Sequence, residues 1–179
     1  LHPPGKYSES DIVCGILANT CPLQKTAVYT AAALLYPHAL ATSVTLPMEI
    51  LQAASQMASA RQRSGPQVRV LLAAPQEGML TLSSGLTVKP DITYGELPLL
   101  DLLLIPAIWR NPLPTINAMA GSLDMLRRFA AAGTRICSVG TGSCLLAEAG
   151  LLDGKAATTH WNYFEQFARR YPQVRLKTR

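Results

Sequence analysis

Residues 135–150 read RICSVGTGSCLLAEAG, and this stretch predicts a short buried strand, a tight turn and a helix. The strand is an apolar run from Ile136 to Val139, and the helix is rich in Leu, Ala and Glu and ends at Gly150. A strand that turns abruptly into a helix has the geometry of a nucleophile elbow, whose tip residue is held in a strained backbone conformation. Here the tip is Gly140, which accepts that conformation without strain and brings no reactive atom.

Strands and helices alternate along the rest of the chain, which predicts an α/β fold: a three-layer sandwich with a mostly parallel sheet and helices on both faces. Residues 1–27 are weakly patterned and are expected to form an amino-terminal extension to a single domain over residues 28–179. Strands are predicted at 27–36, 68–74, 99–105, 156–159 and 174–177, with a hairpin at the sheet edge at 79–82 and 86–88. Helices are predicted from Thr42 or Ser43 to about Arg61, at 116–132 with a break or bend near Gly121, and at 163–171.

The composition excludes several classes of protein. Of 179 residues, 49% are apolar and 15% are charged, so the chain is expected to be globular, and no apolar run reaches the roughly 18 residues of a membrane span.

The chain begins at Leu1 without a basic leader, and we expect a cytoplasmic protein. The four cysteines lack CxxC spacing and there are only three histidines, so no metal site and no cofactor are expected. Much of the net charge of +5 lies in the last eleven residues, which favours a solvated terminal run over a nucleic-acid surface.

Four residues are predicted to meet at one edge of the sheet. In parallel sheets the functional cleft lies beyond the carboxyl ends of the strands, where Glu49, Trp109, Gly140 and His160 are expected. A carboxylate, a tip residue and a histidine would suit nucleophilic acyl chemistry if the tip were Cys or Ser. Each side chain also has a simpler interpretation. Glu49 is then an exposed helix carboxylate, Trp109 packs against a helix, and His160 holds a backbone group.

Two neighbouring features are given no catalytic role. Cys144, one helical turn beyond the tip, is expected to point into the core, where a thiol is inert, and Cys137 is likewise expected to be a core thiol. The Gly140-Thr141-Gly142 turn lacks the third glycine and the Lys-Ser/Thr of phosphate loops. Free N–H groups at a helix start nevertheless attract anions, so a small anionic or amide-like effector would fit there.

Five segments of the sequence resemble one known family. They read LYP (35–37), LPMEIL (46–51), LLIPAIW (103–109), SVGTG (138–142) and a run from LLAEAGLLDG (145–154) to ATTHW (157–161). Together they are similar to the PfpI-type branch of the class I glutamine-amidotransferase-like superfamily, over about residues 29–177. The similarity is greatest to the amidase-like amino-terminal domain of AraC-type transcriptional regulators, and it implies a flavodoxin-like fold.

The resemblance implies roles for the matching residues. The position of Gly140 carries the nucleophilic cysteine in active members, and Glu49 would contact that nucleophile. His160 would be the neighbouring acid or base, and the backbone around Ala107 and Thr141 would supply oxyanion-type hydrogen-bond donors.

The chain departs from the family pattern in three places. Gly140 replaces the cysteine, Ala107 replaces a usual glycine, and the chain stops near Arg179, before the closing segment and the helix-turn-helix domain. The first departure removes the nucleophile, and the last means that DNA would be contacted only through a domain absent from this chain.

We therefore predict a catalytically silent, effector-sensing and dimerisation domain of an AraC-type regulator, with a homodimeric partner and a small-molecule effector. No residue is expected to be catalytic. Two alternatives remain open: a small-amide hydrolase or isonitrile hydratase-like enzyme, using Cys144 or a bound water, and a dimerisation scaffold without a ligand. The predicted ligand-binding residues are Glu49, Ala107, Trp109, Gly140, Thr141 and His160.

Overall fold

A computed structural model describes residues 28–60 and 67–178. The predicted extension over residues 1–27 lies outside the described residues. The strands are β1 (Val28–Leu34), β2 (Gln67–Ala74), β3 (Leu80–Thr81), β4 (Thr87–Val88), β5 (Ile92–Thr93), β6 (Leu102–Ile105), β7 (Arg135–Ser138), β8 (Ala156–Ala157) and β9 (Arg175–Leu176). The helices are α1 (Ala41–Ala60), α2 (Leu113–Ala118), α3 (Leu123–Ala131), α4 (Ser143–Glu148) and α5 (Phe164–Arg170). In these two ranges, no helix combines the length and apolar character needed to cross a bilayer.

The central sheet has five parallel strands in the order β5-β2-β1-β6-β7. The chain moves in one direction from β1 through α1 to β2, and in the other from β6 through α2 and α3 to β7. Because both crossovers are right-handed, α1 lies on one face of the sheet and α2 and α3 lie on the other. The predicted three-layer α/β fold is confirmed.

The two faces of the sheet are covered unequally. Four residues that lie side by side on β2, β1, β6 and β7, and so share one face of the sheet, are all buried: Leu71, Ala32, Leu103 and Ile136. The neighbouring residues one position further along each strand point to the opposite face. This face carries α1, because Leu72 lines a groove with residues of that helix, and on β7 it presents the half-buried Cys137. The side of the sheet that carries α1 is therefore the less completely covered one.

Several predicted boundaries are wrong. The hairpin forms its own two-stranded sheet, β3-β4, and the strand at that edge of the main sheet is instead β5, for which no strand was predicted. The third strand begins at Leu102 rather than at Leu99, which is 82% exposed. The predicted interruption near Gly121 is confirmed, since a 3-10 turn there separates α2 from α3, but the helical region begins at Leu113 rather than at Ile116. The short strands β8 and β9 pair with each other, outside the main sheet.

A charged cluster joins α4 to the end of α5. Arg170 donates to both carboxylate oxygens of Glu148, at 3.1 Å from Nε and 3.0 Å from Nη2. The Tyr171 hydroxyl donates to the same carboxylate at 2.7 Å. The hydrogen bonds from Arg170 are the main reason that the pKa of Glu148 lies below its ordinary value. The cluster could not be predicted from the sequence pattern, because Glu148 lies 22 and 23 positions from its two partners.

Replacing Glu148 with Gln should weaken the fold and flatten its acid dependence. Because the folded-state pKa is lowered, the carboxylate stabilises the protein above its unfolded-state pKa, and this contribution is lost as pH falls through the folded-state value. At pH 7 we expect a loss of about 1 kcal/mol, since the pair is partly exposed. Urea denaturation at several pH values between 7 and 3 measures both effects.

The matched control is Asp124→Asn. Asp124 pairs with Arg127 but its side chain is 86% exposed, so we expect a change within about 0.5 kcal/mol. If Glu148→Gln changed neither the midpoint at pH 7 nor the slope with pH, the cluster would have no role in holding α4 to α5.

Candidate functional site

The predicted elbow is present at the carboxyl end of β7. Val139 is extended (φ −106°), Gly140 has φ +48°, and a 3-10 turn over Gly140–Gly142 leads directly into α4. A positive φ of this size lies in the left-handed region that glycine adopts without a steric penalty. A Cβ built on Gly140 would lie 3.7 Å from the Cβ of Ala107, an ordinary contact. The tip therefore faces the loop after β6 and has room for a side chain, but no reactive group occupies it.

Gly142 lets α4 approach the end of β6 closely. A Cβ at this position would lie 2.4 Å from the carbonyl oxygen of Pro106 and 2.8 Å from that of Ile105. Real side chains do not tolerate such distances to backbone atoms, so only glycine fits without a shift of the backbone. In the sequence Gly142 has the pattern of a turn glycine, and no local signal indicates this packing role.

The hydroxyl of Thr141 clamps the loop after β6. It accepts a hydrogen bond from the Ile108 N–H at 2.8 Å and donates one to the Ile108 carbonyl oxygen at 2.7 Å. Both groups are buried. The predicted site residue Thr141 thus acts through its side chain to hold a neighbouring loop in place.

A second hydroxyl, that of Ser43, accepts a hydrogen bond from another backbone amide of the same loop. The N–H of Ala107 donates to Ser43 Oγ at 2.9 Å, and Ser43 Oγ donates to the Leu40 carbonyl oxygen at 2.7 Å. Ser43 lies in the first turn of α1 and is buried, whereas the sequence suggested a helix cap. The Ala107 amide, which the resemblance implied as an oxyanion-type donor, therefore already has an acceptor.

The loops after β1 and β6 are joined along their backbones. Ala39 and Ile108 form an antiparallel bridge, and the Trp109 N–H donates to the His38 carbonyl oxygen at 2.7 Å. His38 and Arg110 both have positive φ, 68° and 61°. The indole of Trp109 is left 49% exposed at this edge.

His160 lies near the elbow but makes local contacts. Its Nδ1 accepts from the Asn162 N–H at 3.3 Å, which caps the 3-10 turn at Trp161–Tyr163, and its ring centroid is 5.4 Å from that of Trp161. The preceding residue, Thr159, donates from its hydroxyl to the Gly140 carbonyl oxygen at 3.4 Å. The chain segment of His160 thus reaches the tip, while the imidazole itself is exposed.

Glu49 lies on the solvent-facing side of α1. It is exposed on α1 and lines a groove of about 420 Å³ between that helix and the β3-β4 hairpin. The other groove residues are largely apolar and include Val44, Met48, Leu82, Leu86 and Val88. The α1 side chain that hydrogen bonds to the loop facing Gly140 is Ser43.

Cys144 is a core thiol, as predicted. It is 3% exposed, and burial raises its pKa to about 11. At neutral pH it is protonated, and the thiol is a weak nucleophile in that state. Cys137 packs against the core, as predicted, but is only half-buried.

Among the residues that the structure describes, no group of three or more His, Cys, Asp or Glu side chains is arranged to hold a metal ion. A second cavity, of about 390 Å³, lies beside β5 and is lined by Glu77, Lys89, Asp91 and Glu96. Leu72 N–H donates to the Asp91 carboxylate, and Thr93 donates to the carboxylate of Glu96.

The parallel sheet and the elbow define a class of α/β protein in which the residue at the tip of a strand-to-helix turn holds the functional position. Residues 32–174 match the DJ-1/PfpI family, and the chain belongs to that family. The predicted resemblance is thereby confirmed.

Relatives include both an enzyme and transcription regulators. The chain is 35% identical over 133 residues to an isonitrile hydratase of Pseudomonas putida, covering 74% of this chain and 52% of that protein. It is 36% identical over 97 residues to the HTH-type transcriptional regulator CdhR of Pseudomonas aeruginosa, covering 54% of this chain and 28% of the regulator. The chain thus spans about half the length of the first relative and little more than a quarter of the second.

Solved structures agree with the fold. A transcriptional regulator protein from Vibrio parahaemolyticus superposes with a TM-score of 0.73 at 22% identity, over 84% of this chain and 76% of that one. An AraC family transcriptional regulator from Pseudomonas putida gives a TM-score of 0.67, also at 22% identity, over 84% and 77% of the two chains.

Replacing Gly142 with Ala should destabilise the protein by about 1–3 kcal/mol, because the new methyl group forces α4 away from β6. The control is Gly121→Ala, where an added Cβ meets nothing within 4 Å and the change should be neutral or slightly stabilising. Thermal denaturation of the two variants measures the difference. Equal stabilities would show that the contact between Gly142 and Pro106 is not tight.

Proposed function

We propose that this chain is the effector-sensing and dimerisation domain of an AraC-type transcription regulator and that it has lost catalysis. The observation that carries the proposal is the elbow tip. Gly140 has the left-handed backbone of a nucleophile position, yet it supplies no nucleophile. The similarity to CdhR and to the AraC family structure supports the regulator context.

The hydrogen bonds around the tip support the loss of catalysis. An acyl-transfer site needs N–H donors directed at the position where an oxyanion forms. Here the amides of Ala107 and Ile108 already donate to the hydroxyls of Ser43 and Thr141. Cys144, one helical turn beyond the tip, is buried, and burial raises the pKa of its thiol. The edge lacks the nucleophile, and two of its amides are already paired.

The same edge keeps features suited to binding. Trp109 and His160 expose rings beside the elbow, and the turn Gly140–Gly142 begins a helix. In our proposal a small anionic or amide-like effector binds there and favours one arrangement of a homodimer, which in turn positions helix-turn-helix domains on DNA.

Binding should be detected by calorimetry with a panel of small carboxylates and primary amides. At least one compound should bind, and Trp109→Ala and His160→Ala should each weaken it about tenfold or more. Both side chains are exposed, so the variants should fold. Met79→Ala, a change to a side chain 65% exposed on the hairpin, is the matched control. Failure of every compound to bind would overturn sensing at this edge and favour a scaffold without a ligand.

The isonitrile hydratase relative favours one alternative, a small-amide hydrolase or isonitrile hydratase-like enzyme. Its nucleophile would have to be Cys144 or a bound water. Turnover of an isonitrile by the purified chain, abolished by Cys144→Ala or His160→Ala, would replace our proposal with this one.

Restoring the nucleophile tests whether the loss is deeper than one residue. A Cβ at position 140 makes only an ordinary contact, but the φ of +48° strains any side chain there, so Gly140→Cys should fold with some loss of stability and present a thiol that iodoacetamide can alkylate. Because the Ala107 and Ile108 amides are occupied, we expect no isonitrile hydration above background. Measurable turnover by this variant would show that the absence of a nucleophile at position 140 is the only reason for inactivity. The rest of the site would then be able to catalyse the reaction.

A further inference from the structure

Two residues at the elbow edge have a strained backbone. Among the residues that the structure describes, His38 and Arg110 are the only ones other than glycine with positive φ. His38 lies in the loop after β1, and Arg110 lies in the loop after β6. The left-handed region is unfavourable for a residue with a Cβ, and arginine adopts it less often than histidine does. The strained non-glycine backbone of the described chain is therefore concentrated at this one edge of the sheet.

The backbone around them holds both residues in place. Ala39 and Ile108 pair as antiparallel neighbours, and the next pair along is His38 with Trp109, joined by a hydrogen bond of 2.7 Å. Arg110 directly follows this pair, so the two strained residues are one position apart across it. Strained conformations persist only where the surrounding structure fixes them, and they are concentrated in active sites and ligand clamps.

The side chains of these two residues do not contribute bonds to the fold. Both His38 and Arg110 are exposed. Within residues 28–60 and 67–178, neither the imidazole nor the guanidinium makes a hydrogen bond, an ion pair or a ring contact. Glycine would adopt the same backbone without strain. The strain is thus not compensated by polar or ring contacts of these side chains inside the protein, and both remain available to a bound molecule.

The charged and titratable side chains of the elbow edge are all basic. Hydrogen bonds join four segments there, residues 35–43, 105–116, 138–147 and 157–164. These segments contain His38, Arg110 and His160, and no Asp or Glu. The guanidinium of Arg110 is charged at every physiological pH. An unpaired cation on segments that have no carboxylate of their own favours an anionic ligand.

Among small anions, an organic carboxylate fits these groups best. A planar guanidinium can donate two parallel hydrogen bonds to the two oxygens of a carboxylate, whereas a neutral amide has only one oxygen to accept them. Trp109 directly precedes Arg110, and its indole is 49% exposed. An exposed indole offers an apolar face for the organic part of a ligand. Because the loops are already fixed by backbone hydrogen bonds, little ordering is needed on binding.

We propose that Arg110 selects the ligand of the elbow edge, that this ligand is a small organic carboxylate, and that His38 is a second donor beside it. Neither residue is among the ligand-binding residues predicted from the sequence. This inference rests on the proposed function, in which the same edge binds an effector. It adds the chemical class of the effector, a carboxylate rather than an amide, and the residue that distinguishes the two.

Calorimetry of the full chain with matched acids and amides tests the selection. The probes are acetate and acetamide, butyrate and butyramide, and benzoate and benzamide. In at least one pair the carboxylate should bind about tenfold or more tightly than its amide, and Arg110→Gln should bring this ratio to about one. Added salt should weaken the binding of the carboxylate and not that of the amide. Arg128→Gln, which removes an exposed charge from α3, is the matched control and should leave the ratio unchanged.

The outcomes separate this inference from the proposed function. Equal affinities within every pair, or a preference for the carboxylate that survives Arg110→Gln, would overturn the role of Arg110 and leave effector sensing intact. Failure of all six probes to bind would also overturn the inference. The proposed function fails only if the wider panel of carboxylates and amides gives no binding either.

A second test needs no ligand. Arg110→Ala and Arg110→Gly both remove the guanidinium, but only glycine relieves the positive φ. Urea denaturation should therefore give a higher midpoint for Arg110→Gly than for Arg110→Ala, and Arg110→Ala should match wild type. A midpoint for Arg110→Gly at or below that of Arg110→Ala would show that the backbone is not strained. A clear loss of stability in both variants would show that the side chain supports the fold, and either result would overturn the inference.

Discussion

The elbow edge depends on the two-way hydrogen bond between the Thr141 hydroxyl and the backbone of Ile108. This clamp ties the turn after β7 to the loop after β6, and Gly142 permits it by letting α4 approach the Pro106 carbonyl without a Cβ in between. The loop after β6 in turn holds the loop after β1 through the bridge between Ala39 and Ile108. Three strand ends are thus fixed relative to one another by a few buried backbone and hydroxyl contacts.

The same contacts limit the chemistry that the edge can perform. A hydroxyl that stabilises a loop by accepting from its N–H withdraws that N–H from any substrate oxygen. At this edge Ser43 and Thr141 each do so, and the glycine at the tip offers no nucleophile. We propose a binding domain because this edge of the sheet keeps the exposed rings of Trp109 and His160, whereas its tip has no nucleophile. The two backbone amides that could stabilise an oxyanion already donate hydrogen bonds within the protein.

The sequence predicted the fold and the elbow well, because both leave local signals. Alternating buried strands and helices predicted the sheet, and Ser138-Val139-Gly140 predicted the tip. The hydroxyl clamps were not predicted, because whether a serine such as Ser43 caps its own helix or reaches a loop 64 residues away depends on tertiary packing. The groove that Glu49 lines beside the β3-β4 hairpin was not predicted either, because it depends on how the hairpin packs on α1.

Amide hydrogen exchange of Ala107 and Ile108, followed by NMR on the native protein, tests the central claim most directly. If both amides donate to buried hydroxyls, they should exchange as slowly as amides of the central strands β1 and β6. Exchange of these two amides at the rate of an open surface loop would contradict the account, because it would leave both donors free for a substrate oxygen.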